Sequence, residues 1–149
     1  MFAPDTIILH HSLTADGARV SWGRIRRYHV AELGWSDIGY HYGIELARDQ
    51  YEVFAGRGLD CMGAHCRAQG MNTHSLGICF VGNFDYDTPP PDQWAVGLRL
   101  VRSLCNRFDI DPDEIYGHRY FDGRKTCPGR MFDVAAFVDG VKRLQSCRR

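Results

Sequence analysis

The sequence predicts an α/β domain, and three observations carry that expectation. Two apolar, β-branched runs, residues 5–11 (Asp-Thr-Ile-Ile-Leu-His-His) and 75–81 (Ser-Leu-Gly-Ile-Cys-Phe-Val), have the composition of buried strands. An alternating stretch from Tyr40 to Leu46 meets a returning run, Tyr51 to Phe54, across the turn Arg48-Asp49-Gln50. Two long segments repeat apolar residues at three- and four-residue spacing, as amphipathic helices do. With 149 residues, no internal repeat and no linker, the chain reads as one domain, residues 1–149. A chain of this size buries about two thirds of its unfolded surface and needs no disulfides to fold.

In chain order, the strand over residues 5–11 is expected to be central in its sheet. Residues 21–33 follow as a helix, with Ser21 as N-cap, Trp22, Ile25 and Leu33 on one stripe, and Gly34 as its stop. His29 lies on or beside that stripe, where a packed, hydrogen-bonded histidine is the simplest reading. In the hairpin, alternation puts Tyr40, Tyr42, Ile44 and Leu46 on one face and His41, Gly43 and Glu45 on the other. Residues 56–70 are a glycine-rich loop holding Cys61, His65 and Cys66, a metal-binding alternative whose spacing matches no common zinc pattern. Asp92 is expected to cap a helix reaching about Arg107, with Trp94, Leu98, Val101, Leu104, Cys105 and Phe108 inward. Cys79 and Cys105 then read as small core residues. Ile115-Tyr116-Gly117 leads to His118. Asp133 caps a last helix with Val134, Phe137, Val138, Val141 and Leu144 inward, and residues 147–149 read as a frayed tail.

Lys and Arg total 18, as do Asp and Glu. This balance argues against nucleic acid as a partner. No apolar run approaches membrane-spanning length, so no membrane insertion is expected. Met1-Phe2-Ala3-Pro4-Asp5 lacks a basic segment followed by an apolar one, which predicts cytoplasmic synthesis without a signal peptide.

Chemistry concentrates in residues 117–129, Gly-His-Arg-Tyr-Phe-Asp-Gly-Arg-Lys-Thr-Cys-Pro-Gly. His118 and Cys127 offer the imidazole nitrogen and thiolate sulfur that zinc prefers. Lys125 favours the thiolate, and Pro128 keeps the cysteine out of helix. A catalytic zinc needs a third protein ligand. The histidine pair at the end of the first strand can supply it, but neighbouring strand residues face opposite sides, so only one of His10 and His11 points into a given site. The residues alone leave that choice open, and a surface loop with an incidental histidine and a buried thiol remains the competing reading.

These pieces together resemble the zinc-dependent N-acetylmuramoyl-L-alanine amidases, the family of the T-odd phage lysozymes, peptidoglycan recognition proteins and phage endolysins. The resemblance runs from Ile7 to about Val141. It rests on Ile-Leu-His-His-Ser near the start, on His29 with Gly34-Trp35-Ser36-Asp37-Ile38-Gly39-Tyr40-His41, and on Gly63-Ala64-His65. Ser75-Leu76-Gly77-Ile78-Cys79-Phe80-Val81-Gly82, Gly117-His118-Arg119 and Lys125-Thr126-Cys127-Pro128-Gly129 complete it. It implies a mixed central sheet flanked by helices. It implies Zn²⁺ held by His10, His118 and Cys127, with Tyr40 and Lys125 as catalytic residues.

The implied reaction is hydrolysis of the amide between N-acetylmuramic acid and L-alanine in peptidoglycan or muropeptides, by a monomer. A phage or prophage endolysin released through holin pores to act on the cell wall fits the N-terminus. A cytoplasmic muropeptide-recycling amidase and a secretion-system effector fit it too. A non-catalytic peptidoglycan-binding module is the competing class, and Cys127 favours the enzyme. No carboxylate is placed as general base.

Overall fold

The computed structural model describes residues 1–14 and 21–146; the expected tail at 147–149 lies outside them. Five strands form one sheet in the order β3-β2-β4-β1-β5. These are β1 (Thr6–His11), β2 (Tyr42–Ala47), β3 (Gln50–Ala55), β4 (Ser75–Phe80) and β5 (Ile115–Gly117). β1 runs parallel to β4 and β5, and β2 is parallel to β4 but antiparallel to β3, so the sheet is mixed. β1 is interior and every residue in it is buried.

The two faces of the sheet differ in kind. Ile7 and Leu9 of β1, Ile44 of β2, and Leu76, Ile78 and Phe80 of β4 form the main core with α2 (Pro91–Phe108) and α4 (Val134–Ser146). Val101, Leu104, Cys105, Phe137 and Val141 are the buried helix positions that meet them. The opposite face carries Ile8, packed with Cys66 and Met71, and Cys79 with Val81, packed with Trp22 and Ile38. Alternation along β1 therefore separates His10 from His11. His10 shares the face of Ile8, whereas His11 shares that of Ile7 and Leu9 and lies tilted against the Phe84 ring.

Ser21 caps α1 (Trp22–Arg27), its hydroxyl accepting from the Arg24 N–H at 3.3 Å. The segment then widens into a π-helical turn over Tyr28–Glu32 and ends at Gly34, whose φ of 71° only glycine adopts cheaply. α2 starts two residues earlier than its sequence suggests. Pro90 occupies the cap position without a side-chain bond, Pro91 supplies a pre-set φ, and Asp92 falls in the first turn, where its charge complements the helix dipole. Asp133 does cap α4, accepting from the Ala136 N–H at 2.9 Å. A helical turn the sequence does not announce, α3 (His118–Phe121), follows β5 directly.

Tyr40 departs from the expected strand face. β2 begins at Tyr42, and the chain bends at Gly39 and His41, so alternation does not extend back to Tyr40. A side chain on Gly39 would place its Cβ 2.5 Å from the Ala64 carbonyl, so this close approach fixes the bend. Tyr40 consequently packs with Trp22 on the opposite side from Tyr42. Among the described residues no helix is long and apolar enough to cross a membrane.

Candidate metal centre

β1 and β5 run parallel side by side, and β5 ends at Gly117 opposite Leu9, one residue before His10. β1 delivers His10 at its end, and β5 hands the chain to His118 at the start of α3. The segment returning after α3 brings Cys127 between them. Each of these three residues offers one ligand atom, and the atoms lie within 4.8 Å of one another. His10 Nδ1 and Cys127 Sγ are 3.5 Å apart, and the His10 and His118 rings have centroids 4.7 Å apart.

Several groups hold Cys127 in place. The Arg119 N–H donates to the Cys127 carbonyl at 2.8 Å. The Arg119 guanidinium donates to the carbonyls of Thr126, Gly129 and Phe132 at 3.3, 2.7 and 3.1 Å. Asp85 accepts from the Thr126 hydroxyl and the Arg130 N–H, both at 3.0 Å. Gly129 has φ 120°, and a Cβ there would sit 2.4 Å from the Phe84 backbone, so no other residue fits. The His11 N–H donates to Cys127 Sγ at 3.4 Å, while the His11 ring turns away and its Nδ1 accepts from the Phe84 N–H at 3.1 Å.

Burial decides the protonation states. It lowers the pKa of His10 well below the usual imidazole value, with the neighbouring histidines and Lys125 adding to the effect. It lowers His118 too, again helped by Lys125. Both rings are therefore neutral and each keeps a lone pair. Burial pushes the Cys127 thiol up to about 12. The His11 N–H, Lys125 and Arg119 all favour the thiolate, but they are outweighed. Lys125 does favour the thiolate, as expected, but desolvation outweighs it, and the dry site keeps the proton on sulfur unless a cation replaces it.

The ligand atoms lie on the wall of a groove of about 760 Å³, which Tyr40, His29, Trp35, Tyr28, Arg24 and Lys125 also line. Lys125 is exposed at its edge. The Tyr40 ring lies 5.1 Å from that of His10. Burial raises the Tyr40 pKa well above that of a free phenol, and Cys79 and Cys127 raise it further. His29 is packed as expected, accepting at Nδ1 from the Gly39 N–H at 3.1 Å between the Trp35 and Tyr40 rings. Among the described residues the groove lining contains no carboxylate.

Cys61, His65 and Cys66 do not form a second centre. Cys61 is exposed, Cys66 is buried beneath Ile8, and the His65 ring turns to His10 with its Nδ1 3.0 Å from His10 Nε2. His65 is the buried neighbour of His10 that sequence spacing missed, because the contact joins residues 55 positions apart. Cys79 is core, as expected, in the cluster against which Tyr40 packs.

The family profile described as N-acetylmuramoyl-L-alanine amidase matches residues 2–130. The chain belongs to this amidase family. Peptidoglycan-recognition protein SC1a of Drosophila melanogaster is 38% identical over 106 residues, covering 70% of this chain and 54% of the relative. The chain thus spans about half the length of the curated relatives it matches. Among solved structures, the endolysin N-acetylmuramoyl-L-alanine amidase LysCS from Clostridium intestinale URNW superposes with a TM-score of 0.81. It has 28% identity, over 95% of this chain and 85% of that one. A Drosophila PGRP-LB variant in complex with tracheal cytotoxin gives a TM-score of 0.73 at 27% identity, over 89% and 79% of the two chains. The amidase fold of these neighbours is the mixed sheet flanked by helices described above.

Proposed function

We propose that this amidase-family chain hydrolyses the amide joining N-acetylmuramic acid to L-alanine in peptidoglycan, using a zinc ion held by His10, His118 and Cys127. The observation that carries the reading is the convergence of those three ligand atoms within 4.8 Å on the wall of an open groove. Two neutral imidazoles and one sulfur are the donor set of a catalytic zinc with an open position. The buried Cys127 thiol, held near 12, is a group whose ionisation a divalent cation would offset. A zinc ion bound there would supply Lewis acidity, lowering the pKa of a water to about 7 and polarising the scissile carbonyl.

The chain's own groups supply the rest. The Lys125 ammonium offers three donors and no acceptor, and it stands beside the ligands where negative charge would grow on the substrate carbonyl oxygen. Tyr40 remains a neutral phenol at physiological pH, so it serves as a hydrogen-bond donor and not as a base. The rings of Tyr28, Trp35 and His29 give the groove apolar surface and orientation for a glycopeptide. No Asp or Glu among the described residues lines the groove.

The likeness to an endolysin amidase supports a lytic role at the cell wall. The likeness to recognition proteins favours a second reading, binding without cleavage. One digest separates them. Purified peptidoglycan incubated with the zinc-loaded protein should release stem peptides bearing a free N-terminal alanine, identified by mass spectrometry, and chelation should stop the release. A zinc-loaded protein that sediments with peptidoglycan but releases no stem peptide would establish the binder.

A further inference from the structure

His65 stands directly behind His10, on the side away from Cys127. Its Nδ1 lies 3.0 Å from His10 Nε2, and its Nε2 lies 3.3 Å from the Ser75 carbonyl oxygen. A carbonyl oxygen can only accept. In a neutral His65, Nε2 therefore carries the proton and Nδ1 carries a lone pair. That lone pair accepts from His10 Nε2–H. His10 is then left with its own lone pair on Nδ1, the nitrogen that faces Cys127 Sγ at 3.5 Å. Were the relay reversed, His10 would present an N–H to the site and could not bind a metal through that atom.

We propose that His65 is a positioning residue, which sets the metal-competent tautomer and ring angle of His10 through the relay Ser75 C=O, His65, His10. The inference rests on the zinc reading above. The surroundings of His65 show a slot built for its ring. A Cβ on Gly77 would come 2.4 Å from the ring Cγ, and one on Gly63 would come 2.3 Å from Cδ2. Gly77 lies on β4, and its N–H donates to His41 Nδ1 at 3.0 Å. His41 thereby stands edge-on to His65 with centroids 5.7 Å apart. The Asn72 carboxamide oxygen accepts from the His65 and Cys66 N–H groups at 2.8 and 2.7 Å, fixing the backbone that carries the ring. The ring can neither slide nor turn without displacing one of these neighbours. Metal-binding histidines need such a partner on the far nitrogen, and losing it commonly costs about 10- to 100-fold in metal affinity.

The test measures zinc affinity by competition with a chromophoric chelator, alongside circular dichroism. His65→Ala should bind zinc about 10- to 100-fold more weakly than wild type. His65→Asn places a carboxamide oxygen near the Nδ1 position and should stay within a few-fold of wild type. Gly77→Ala, which removes no donor, should weaken zinc by crowding the ring. Nitrogen-15 NMR of the metal-free wild type should show the His10 proton on Nε2. Wild-type affinity in a folded His65→Ala variant would overturn the proposal, as would a His65→Asn loss equal to that of alanine. If the alanine variant does not fold, a His10 proton found on Nδ1 in the wild type overturns it unaided. A wild type that binds no zinc overturns the proposed function itself, whereas zinc binding unchanged by His65→Ala overturns only the role of His65.

Discussion

His10 and Cys127 lie 117 residues apart in sequence, yet His10 Nδ1 and Cys127 Sγ sit 3.5 Å from each other. The parallel pairing of β1 with β5 and the Arg119 staple on the returning loop make that approach. Cys127→Ser should abolish zinc binding and turnover together, because a hydroxyl is a poor substitute for thiolate. His11→Ala should keep its zinc, since the His11 ring faces Phe84 and only its backbone N–H touches Cys127. It should lose about 1–3 kcal/mol of stability for the unsatisfied Phe84 N–H. Zinc stoichiometry and thermal melts on both variants check this; equal zinc loss in His10→Ala and His11→Ala would sink the choice of His10.

Zinc uptake should release about one proton. The imidazoles are already neutral, while burial holds the Cys127 thiol near 12, so only the sulfur has a proton to give. Apparent affinity should then rise about tenfold per pH unit through neutral pH. Calorimetry in buffers of different ionisation enthalpy counts the proton; a count near zero would mean the thiolate is already present in the metal-free protein.

Cys61 and Cys66 should be dispensable for chemistry but not equally innocuous. Cys61→Ser changes an exposed thiol and should alter nothing measurable. Cys66→Ser puts a hydroxyl beneath Ile8 and Met71 and should cost about 1–3 kcal/mol of stability with zinc and turnover intact. A matched fall in zinc and activity in the double variant would show a metal role for the loop.

Much of the arrangement was legible because it follows from local rules. The apolar runs around Ile7 and Leu76 gave interior strands, and strict alternation separated His10 from His11. Choosing between those two needed the family resemblance, because alternation says which residues differ, not which face becomes the site. Tyr40 was misplaced for a tertiary reason: the chain bends where Gly39 meets Ala64, and no periodicity marks that contact. His65 was readable as a loop histidine beside Cys61 and Cys66 and as part of the Gly63-Ala64-His65 match, but its contact with His10 was not, because that partner is on β1. The expected aid of Lys125 to the Cys127 thiolate was correct in sign but smaller than desolvation, a magnitude that depends on burial.

The metal-free protein should lose stability on mild acidification. Burial lowers His65 to about 3 and His10 well below the usual value, whereas both regain ordinary values near 6.5 when unfolded. The unfolded chain therefore binds more protons below pH 6.5, so this stabilisation is complete above that pH and declines as pH falls toward the folded values. The loss should reach a few kcal/mol by order of magnitude, and the window from 6.5 to 4.5 lies above the aspartate titrations. Urea midpoints at four pH values measure it, and His65→Asn should flatten the slope. A midpoint constant across the window would mean the histidines are not buried neutral.

Lys125 and Tyr40 should act on the transition state and not on binding. Only interactions stronger in the transition state accelerate a step, so replacing either should lower turnover far more than affinity for peptidoglycan. Lys125 is exposed at the groove edge and is not a ligand, so Lys125→Ala should keep its zinc and its sedimentation with the wall. Its turnover should fall by about a hundredfold or more, as when an oxyanion donor is removed. Tyr40→Phe removes the phenol proton while keeping the ring beside His10, and it should likewise spare zinc. The competing role for Lys125 is electrostatic, since its charge favours the Cys127 thiolate. In that case Lys125→Ala would bind zinc more weakly, and saturating zinc would restore the rate. Burial outweighs Lys125 at the Cys127 thiol, and the His11 N–H ranks ahead of it in favouring the thiolate, so the transition-state role is expected to prevail. Zinc affinity and turnover at saturating zinc, measured on the same two variants, decide it: full recovery of the Lys125→Ala rate would remove Lys125 from the chemistry.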